Sequence, residues 1–125
     1  MQFVTDFAAK RAELSPGKTA FHDVETGARM TFGDVETRAN RLARALYRLG
    51  ARAGDRIGVL CFNRPDFFVA LFAAQKANFL LVPLNWRQPA PELLPIVTSA
   101  EIDILIHDAA SRTLAEALVE THPLR

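Results

Sequence analysis

Apolar and polar positions alternate with different periods along the 125-residue chain. The stretch that organises it, 55–87, contains two short runs rich in β-forming residues, 57–62 and 79–82. Each is bounded by turn formers, which is the pattern of strands buried on both faces. Between them, Pro65 suits the first turn of a helix and Asp66 complements its positive end. Residues 67–77 are apolar nearly all round, as in a helix packed on more than one side. Asn78 suits the left-handed stop of that helix, and Pro83 ends the second run. Strand, helix, strand with short links predicts a parallel βαβ unit.

The flanking segments complete an α/β pattern. Phe3, Phe7, Arg11 and Leu14 fall near one stripe and predict a short amphipathic helix over 2–14, ended by Ser15-Pro16-Gly17. Runs 19–24 and 29–32, joined by Glu25-Thr26-Gly27-Ala28, predict a hairpin. Thr31, with Asp34 three residues on, caps a second helix. There Phe32, Val35, Ala39, Leu42, Leu46 and Leu49 recur every three or four positions, Arg38, Arg41, Arg44 and Arg48 line much of the remainder, and Gly50 closes the helix. Downstream come a loop over 84–90, a helix over 91–99 that Pro95 should tighten or kink, a strand over 102–107, and a helix over 111–120 with Ser111 as its candidate cap. At least three parallel strands preceded by a hairpin are therefore expected. A sheet that stops at three strands looks unfinished, as in the amino-terminal piece of a larger protein.

Composition changes this picture little. Half the residues are apolar, 23% are charged and the net charge is +1, as in ordinary globular proteins, with no basic run to mark a nucleic-acid surface. The amino terminus lacks the pattern of a secretory signal, and Gln75, Lys76, Asn78 and Pro83 interrupt the most apolar segment, 67–84, so no membrane segment is read. The single cysteine, Cys61, excludes a disulfide framework and is compatible with a cytoplasmic location. Placed inside the central strand, it reads as inert packing and not as a nucleophile.

Chemistry-bearing motifs are few. Gly50, Gly54 and Gly58 lack dinucleotide-binding spacing and precede or sit within the strand. His22, His107 and His122 are too scattered for a ligand set, and Ser15, Ser99 and Ser111 have no nucleophile-elbow context. The arginines of the second helix read first as its solvated face, with an interaction patch as the lesser alternative. Arg87 stands apart. It follows a strand end beside Asn85 and Trp86, where ligands of α/β sheets gather, and its guanidinium could clamp a phosphate or carboxylate. Its bland alternative is a loop arginine paired with Glu92.

Four stretches in order carry a family resemblance: Thr31 through Leu46, Gly54 through Leu60, Asn63-Arg-Pro-Asp-Phe, and Lys76-Ala-Asn-Phe-Leu-Leu-Val-Pro-Leu-Asn-Trp-Arg87. Together they resemble the amino-terminal region of the adenylate-forming (AMP-binding) enzymes, and the last stretch is most like that of fatty-acid and related acyl-CoA ligases. The resemblance implies that 1–125 is part of the large domain of such an enzyme, an incomplete amino-terminal subdomain without the catalytic remainder and carboxy-terminal domain. It further implies a two-step reaction in the full-length protein: a carboxylate and ATP, with Mg²⁺, give an acyl-adenylate, and the CoA thiol then displaces AMP. The family's Ser/Thr/Gly-rich loop with its lysine, aromatic-x-Thr-Glu motif and ribose-binding Asp have no counterpart here. Hence no catalytic residue and no metal site is expected in the chain, no cofactor should bind it tightly, and it should be inactive alone.

Only Arg87 is carried over as a contact, because it matches a loop arginine near the CoA phosphates in some relatives. The chain departs from the family pattern at Asn78, where glycine is usual, near Glu101, where a glycine is also usual, and at Pro95. The expected partner is the remainder of the enzyme. Alternatives are a standalone non-catalytic scaffold or binding module, covering its edges as a homodimer, and a fragment of an amino-acid-activating domain that uses a carrier-protein thiol.

Overall fold

A computed structural model describes residues 5–124. Helix α1 (Phe7–Leu14) begins at Asp6, whose carboxylate accepts the Ala9 N–H at 3.1 Å. It is shorter than expected, and its buried residue is Ala8, whereas Phe7 and Leu14 are exposed. The stripe expected from Phe7 and Leu14 is therefore not the packed face, and Phe3 lies outside the described residues. An eight-residue helix gains little by itself, so side-chain links decide how it docks.

Strands β1 (Thr19–His22) and β2 (Arg29–Thr31) form the antiparallel hairpin. Its turn is held by Asp23, which accepts the N–H groups of Glu25 and Thr26, and by Gly27 at φ 74°. Thr31 then caps helix α2 (Phe32–Arg48) in a full capping box. The Asp34 N–H donates to Thr31 Oγ1 at 3.1 Å, and the Thr31 N–H donates to Asp34 Oδ2 at 2.9 Å. Gly50, at φ 100°, turns the chain away after Leu49.

The βαβ unit has the expected order. Strand β3 (Arg56–Leu60) leads to α3 (Pro65–Ala77), which ends at Asn78 in the left-handed region (φ 57°, ψ 38°). Strand β4 (Leu80–Pro83) pairs parallel with β3, and α4 (Ala90–Ser99) leads to β5 (Ile104–His107), which pairs parallel with the other side of β3. The sheet order is thus β4-β3-β5. Pro83 completes β4 instead of stopping it, because an edge position does not need its N–H. Pro95 lies inside α4 without ending it. A single 3₁₀ turn, Ala109–Ser111, introduces α5 (Arg112–Thr121). Ser111 is not the side-chain cap expected there; Asp108 accepts the Ser111 N–H at 2.9 Å.

Helices cover both faces of the sheet. On one, Leu93 and Val97 of α4 and Ala115 and Leu118 of α5 pack with Leu60 and Leu105. On the other, Leu46, Ala74 and Phe79 enclose Ile57 and Ile104, while Ala8, Met30, Val35 and Val69 tie α1 and the hairpin to α2 and α3. The apolar patterns of β3 and α3 follow from this double-sided burial. Among the described residues no helix is long and apolar enough to cross a membrane.

Three polar contacts fasten the layers. Asp103 of the loop before β5 accepts the Arg56 N–H at 2.8 Å, and the Asp103 N–H donates to the Arg56 carbonyl at 2.9 Å. Glu101 adopts φ 51°, in the region that glycine occupies without strain, and its carboxylate pairs with Arg56 at 3.1 Å. The third is made by Lys76, whose side chain is 8% exposed. Its Nζ lies 2.8 Å from Asp6 Oδ2 and 2.6 Å from Glu36 Oε2, clasping α3 to α1 and α2. Gln75 adds to the clasp by donating to the Thr5 carbonyl at 3.1 Å. Burial alone would push Lys76 down, but its bonds to both carboxylates hold it above the ordinary lysine value. Burial would likewise push Asp6 up, yet the Lys76 ammonium and the Ala9 N–H hold it below the usual carboxylate value.

Candidate functional site

The carboxyl ends of β3, β4 and β5 lie side by side, because all three strands run parallel. Three loops therefore emerge at one edge of the sheet, where α/β proteins place ligands. Cys61, Phe62, Asn63 and Arg64 follow β3, Leu84 through Gln88 follow β4, and Asp108 follows β5. Phe62, Arg64, Trp86 and Asp108 from these loops, with Asp23 and Thr26 of the hairpin turn opposite, line a cleft of about 840 Å³.

Arg87 is exposed in the β4 loop. Asn85 shapes that loop, since its Oδ1 accepts the Arg87 N–H at 3.0 Å. The Arg87 guanidinium lies over the Trp86 ring, 4.3 Å from its centroid. Trp86 also stacks on Phe62, with centroids 4.0 Å apart and planes 22° apart. A stacked guanidinium keeps its N–H edge available to an anion. Glu92 does not hold it; that carboxylate takes the Gln88 amide at 3.4 Å. The bland pairing considered from the sequence is thus absent.

Asp108 organises the other side. Its side chain, 8% exposed, accepts the Phe62 N–H at 3.0 Å and the Ser111 N–H at 2.9 Å. Arg64 approaches it at 3.6 Å and also reaches Asp66 at 3.7 Å. Burial by itself would raise the Asp108 carboxyl, but the N–H donors, Ser111 and the Arg64 charge hold it below the usual carboxylate value. Asp108 thereby joins the β3 loop to the start of α5 and sets where Phe62, and with it Trp86, stands.

Cys61 lies just past β3, half-buried, and not inside the strand as expected. Burial pushes its thiol up, and the carboxylates of Asp108 and Asp66 push it further. It therefore has the character of a protonated, weakly nucleophilic thiol. His107 is exposed, and its Nδ1 lies 2.8 Å from the Asp108 carbonyl oxygen. Among the described residues no three His, Cys, Asp or Glu side chains are grouped to hold a metal ion.

Sequence reasoning singled out Arg87, Asn85 and Trp86, and the structure brings these together with Phe62. It missed Asp108 and Arg64. A signal for Asp108 was available: an Asp that ends a strand run and stands three residues before a serine is a capping pattern. Arg64 pairs with Asp66 two residues away and with Asp108, and the distant partner had no local signal.

The family model described as AMP-binding enzyme matches residues 8–125. The chain belongs to the AMP-binding enzyme family. It is similar to a feruloyl-CoA synthase of an Amycolatopsis species, 33% identical over 124 residues, which cover 99% of this chain and 25% of the relative. It is also similar to the long-chain-fatty-acid–CoA ligase FadD13 of Mycobacterium tuberculosis, 33% identical over 109 residues, which cover 87% of this chain and 22% of the relative. The crystal structure of the N-terminal domain of FACL13 from Mycobacterium tuberculosis superposes with a TM-score of 0.86 at 32% identity, covering 94% of this chain and 30% of that one. The chain thus spans about a quarter of the length of the curated relatives it matches.

Proposed function

We propose that this chain is the amino-terminal segment of an ATP-dependent acyl-CoA ligase, and that it is inactive without the rest of that enzyme. The observation that carries this reading is one unbroken family match over 8–125, with relatives named as a feruloyl-CoA synthase and a long-chain-fatty-acid–CoA ligase that are about four times as long. Exposed Phe62, Phe68, Leu71, Leu80 and Ile96 support a segment that packs against further polypeptide and not a self-contained module.

The residues present fit the implied ligands unequally. Among the described residues no three His, Cys, Asp or Glu side chains are grouped to hold a magnesium ion, so the residues present do not support an ATP–magnesium site. A CoA phosphate fits better, because Arg87 is exposed, stacked and free of any described carboxylate. In this reading Arg87 attracts the nucleotide end of CoA, while Asn85 and Trp86 fix the loop that presents it. CoA supplies the acceptor thiol when bound.

Two experiments test the proposal. The 125-residue chain alone should give no ATP–pyrophosphate exchange with any carboxylate, whereas the full native product should exchange and form a thioester. Exchange by the isolated chain, or none by the full product across fatty and aryl acids, sinks it. In the full product, Arg87→Ala should raise the KM for CoA by roughly tenfold, the loss expected for one charge-assisted contact. The KM values for ATP and the acid should stay unchanged, and an unaltered KM for CoA removes the role assigned to Arg87.

A further inference from the structure

On α2 the solvent face carries Arg41, Arg44 and Arg48, spaced three and four residues apart and so aligned along one side of the helix. The opposite side buries Val35, Ala39 and Leu46. All three arginines are exposed, and none forms an ion pair with a described residue. Elsewhere in the chain Arg38, Arg56, Arg64 and Arg112 each meet a carboxylate, whereas Arg11, Arg29, Arg52 and Arg87 form no ion pair with a described residue. At the carboxyl end of the same helix Arg52 lies over the Tyr47 ring, 4.0 Å from its centroid, and donates to the Tyr47 and Ala51 carbonyls. Tyr47 and Leu49 are both more than half exposed.

We propose that this face of α2 docks on an anionic lipid surface. The inference goes beyond the ligase reading and stands if that reading fails. Charge complementarity names the occupant: three unneutralised guanidinium groups in a row over about 10 Å of helix present a straight positive edge to a plane of lipid phosphates and carboxylates. The amphipathic Tyr47 ring and the Leu49 side chain, beside the last arginine, suit the headgroup boundary. A nucleic acid is a poorer match, since the chain has a net charge of only +1 and the stripe has no groove to follow a backbone. Carboxyl-terminal placement of Arg48 also favours the helix dipole, but that role needs neither Arg41 nor a clear face around it.

The test uses the full native product and vesicles of phosphatidylcholine with or without phosphatidylserine, in low salt, read by co-sedimentation. Binding should require phosphatidylserine and fade as salt rises. The triple variant Arg41→Gln, Arg44→Gln, Arg48→Gln should lose affinity on the order of a hundredfold, about fivefold for each arginine. The Lys variant at all three positions should retain binding, which separates lost charge from lost structure. A control triple of equal charge change, Lys10→Gln, Lys18→Gln and Arg29→Gln, should bind nearly as the parent does. No binding to the mixed vesicles overturns the proposal, as does an equal loss in the control triple. Binding to polyglutamate while the vesicles stay bare would also overturn it, by making the partner an acidic protein.

Discussion

Replacing Lys76 by Met lowers the melting temperature by roughly 10 °C, equivalent to about 2–3 kcal/mol for a domain of this size. Lys76 is the cation between the Asp6 and Glu36 carboxylates, and only 8% of its side chain is exposed. Removing it leaves two carboxylates facing each other without a counter-charge, at a junction of three helices. The cost stays at the low end for a broken buried pair because Asp6 keeps 40% of its side chain in water. Lys76→Arg retains part of the stability, and Lys76→Met with Asp6→Asn and Glu36→Gln recovers part of the loss. Thermal unfolding followed by circular dichroism measures all of these; an unchanged midpoint for Lys76→Met removes the clasp from the account.

The pH dependence has a defined sign. The Asp6 carboxyl is held down in the folded chain, so its contribution is full above the ordinary carboxylate value and is lost as pH falls through the depressed one. Lys76 is held up, so its contribution is full below the ordinary lysine value and is lost as pH rises through the raised one. The clasp is therefore strongest between these limits, and Lys76→Met should flatten both limbs of the stability profile.

The second large effect is expected at Asp108. Asp108→Ala leaves the Phe62 and Ser111 N–H groups without their acceptor and Arg64 without one of its partners, at a cost of about 2–3 kcal/mol. Asp108→Asn keeps an acceptor oxygen and loses the charge, so it should cost less. Because the Asp108 carboxyl is held down, the stability it provides is present above the ordinary carboxylate value and lost as pH falls through the depressed one, and Asp108→Asn abolishes that acid dependence. Trp86 is the chain's single tryptophan and stacks on Phe62, so its fluorescence reports the local consequence. Emission should shift to the red in Asp108→Ala as Phe62 loses its anchor. Unchanged emission with unchanged stability would mean that Asp108 does not hold the loop.

What could be read from the sequence was what local chemistry controls. The Thr31 and Asp34 box, the left-handed Asn78 and the apolar runs of β3 and β5 each act within a few residues, and each was legible. Asn78 shows the physics well: its short polar side chain tolerates the φ of 57° that ends α3. Long-range pairings were not legible. Lys76 reaches Asp6 across 70 positions and Phe62 reaches Asp108 across 46, and nothing within a helical or strand period announces either. The α1 stripe misled because Ala8, too small to stand out in an apolar pattern, is the residue that packs. Glu101 lies between these cases: the resemblance flagged this neighbourhood as one where glycine is expected, and the φ of 51° at Glu101 lies in the region that glycine occupies without strain. At the candidate site, the Asn85-Trp86-Arg87 string was visible as a motif, while the cleft that Trp86 lines depends on the hairpin turn and on Asp108 folding beside it.

The most direct test of the central claim is the intact mass of the native gene product, measured from its own cells. A mass roughly four times the 13.8 kDa of this chain is expected, since the chain spans 25% of a relative that it matches along nearly its whole length. A native product of 13.8 kDa would contradict the claim that this fold works as part of a larger acyl-CoA ligase.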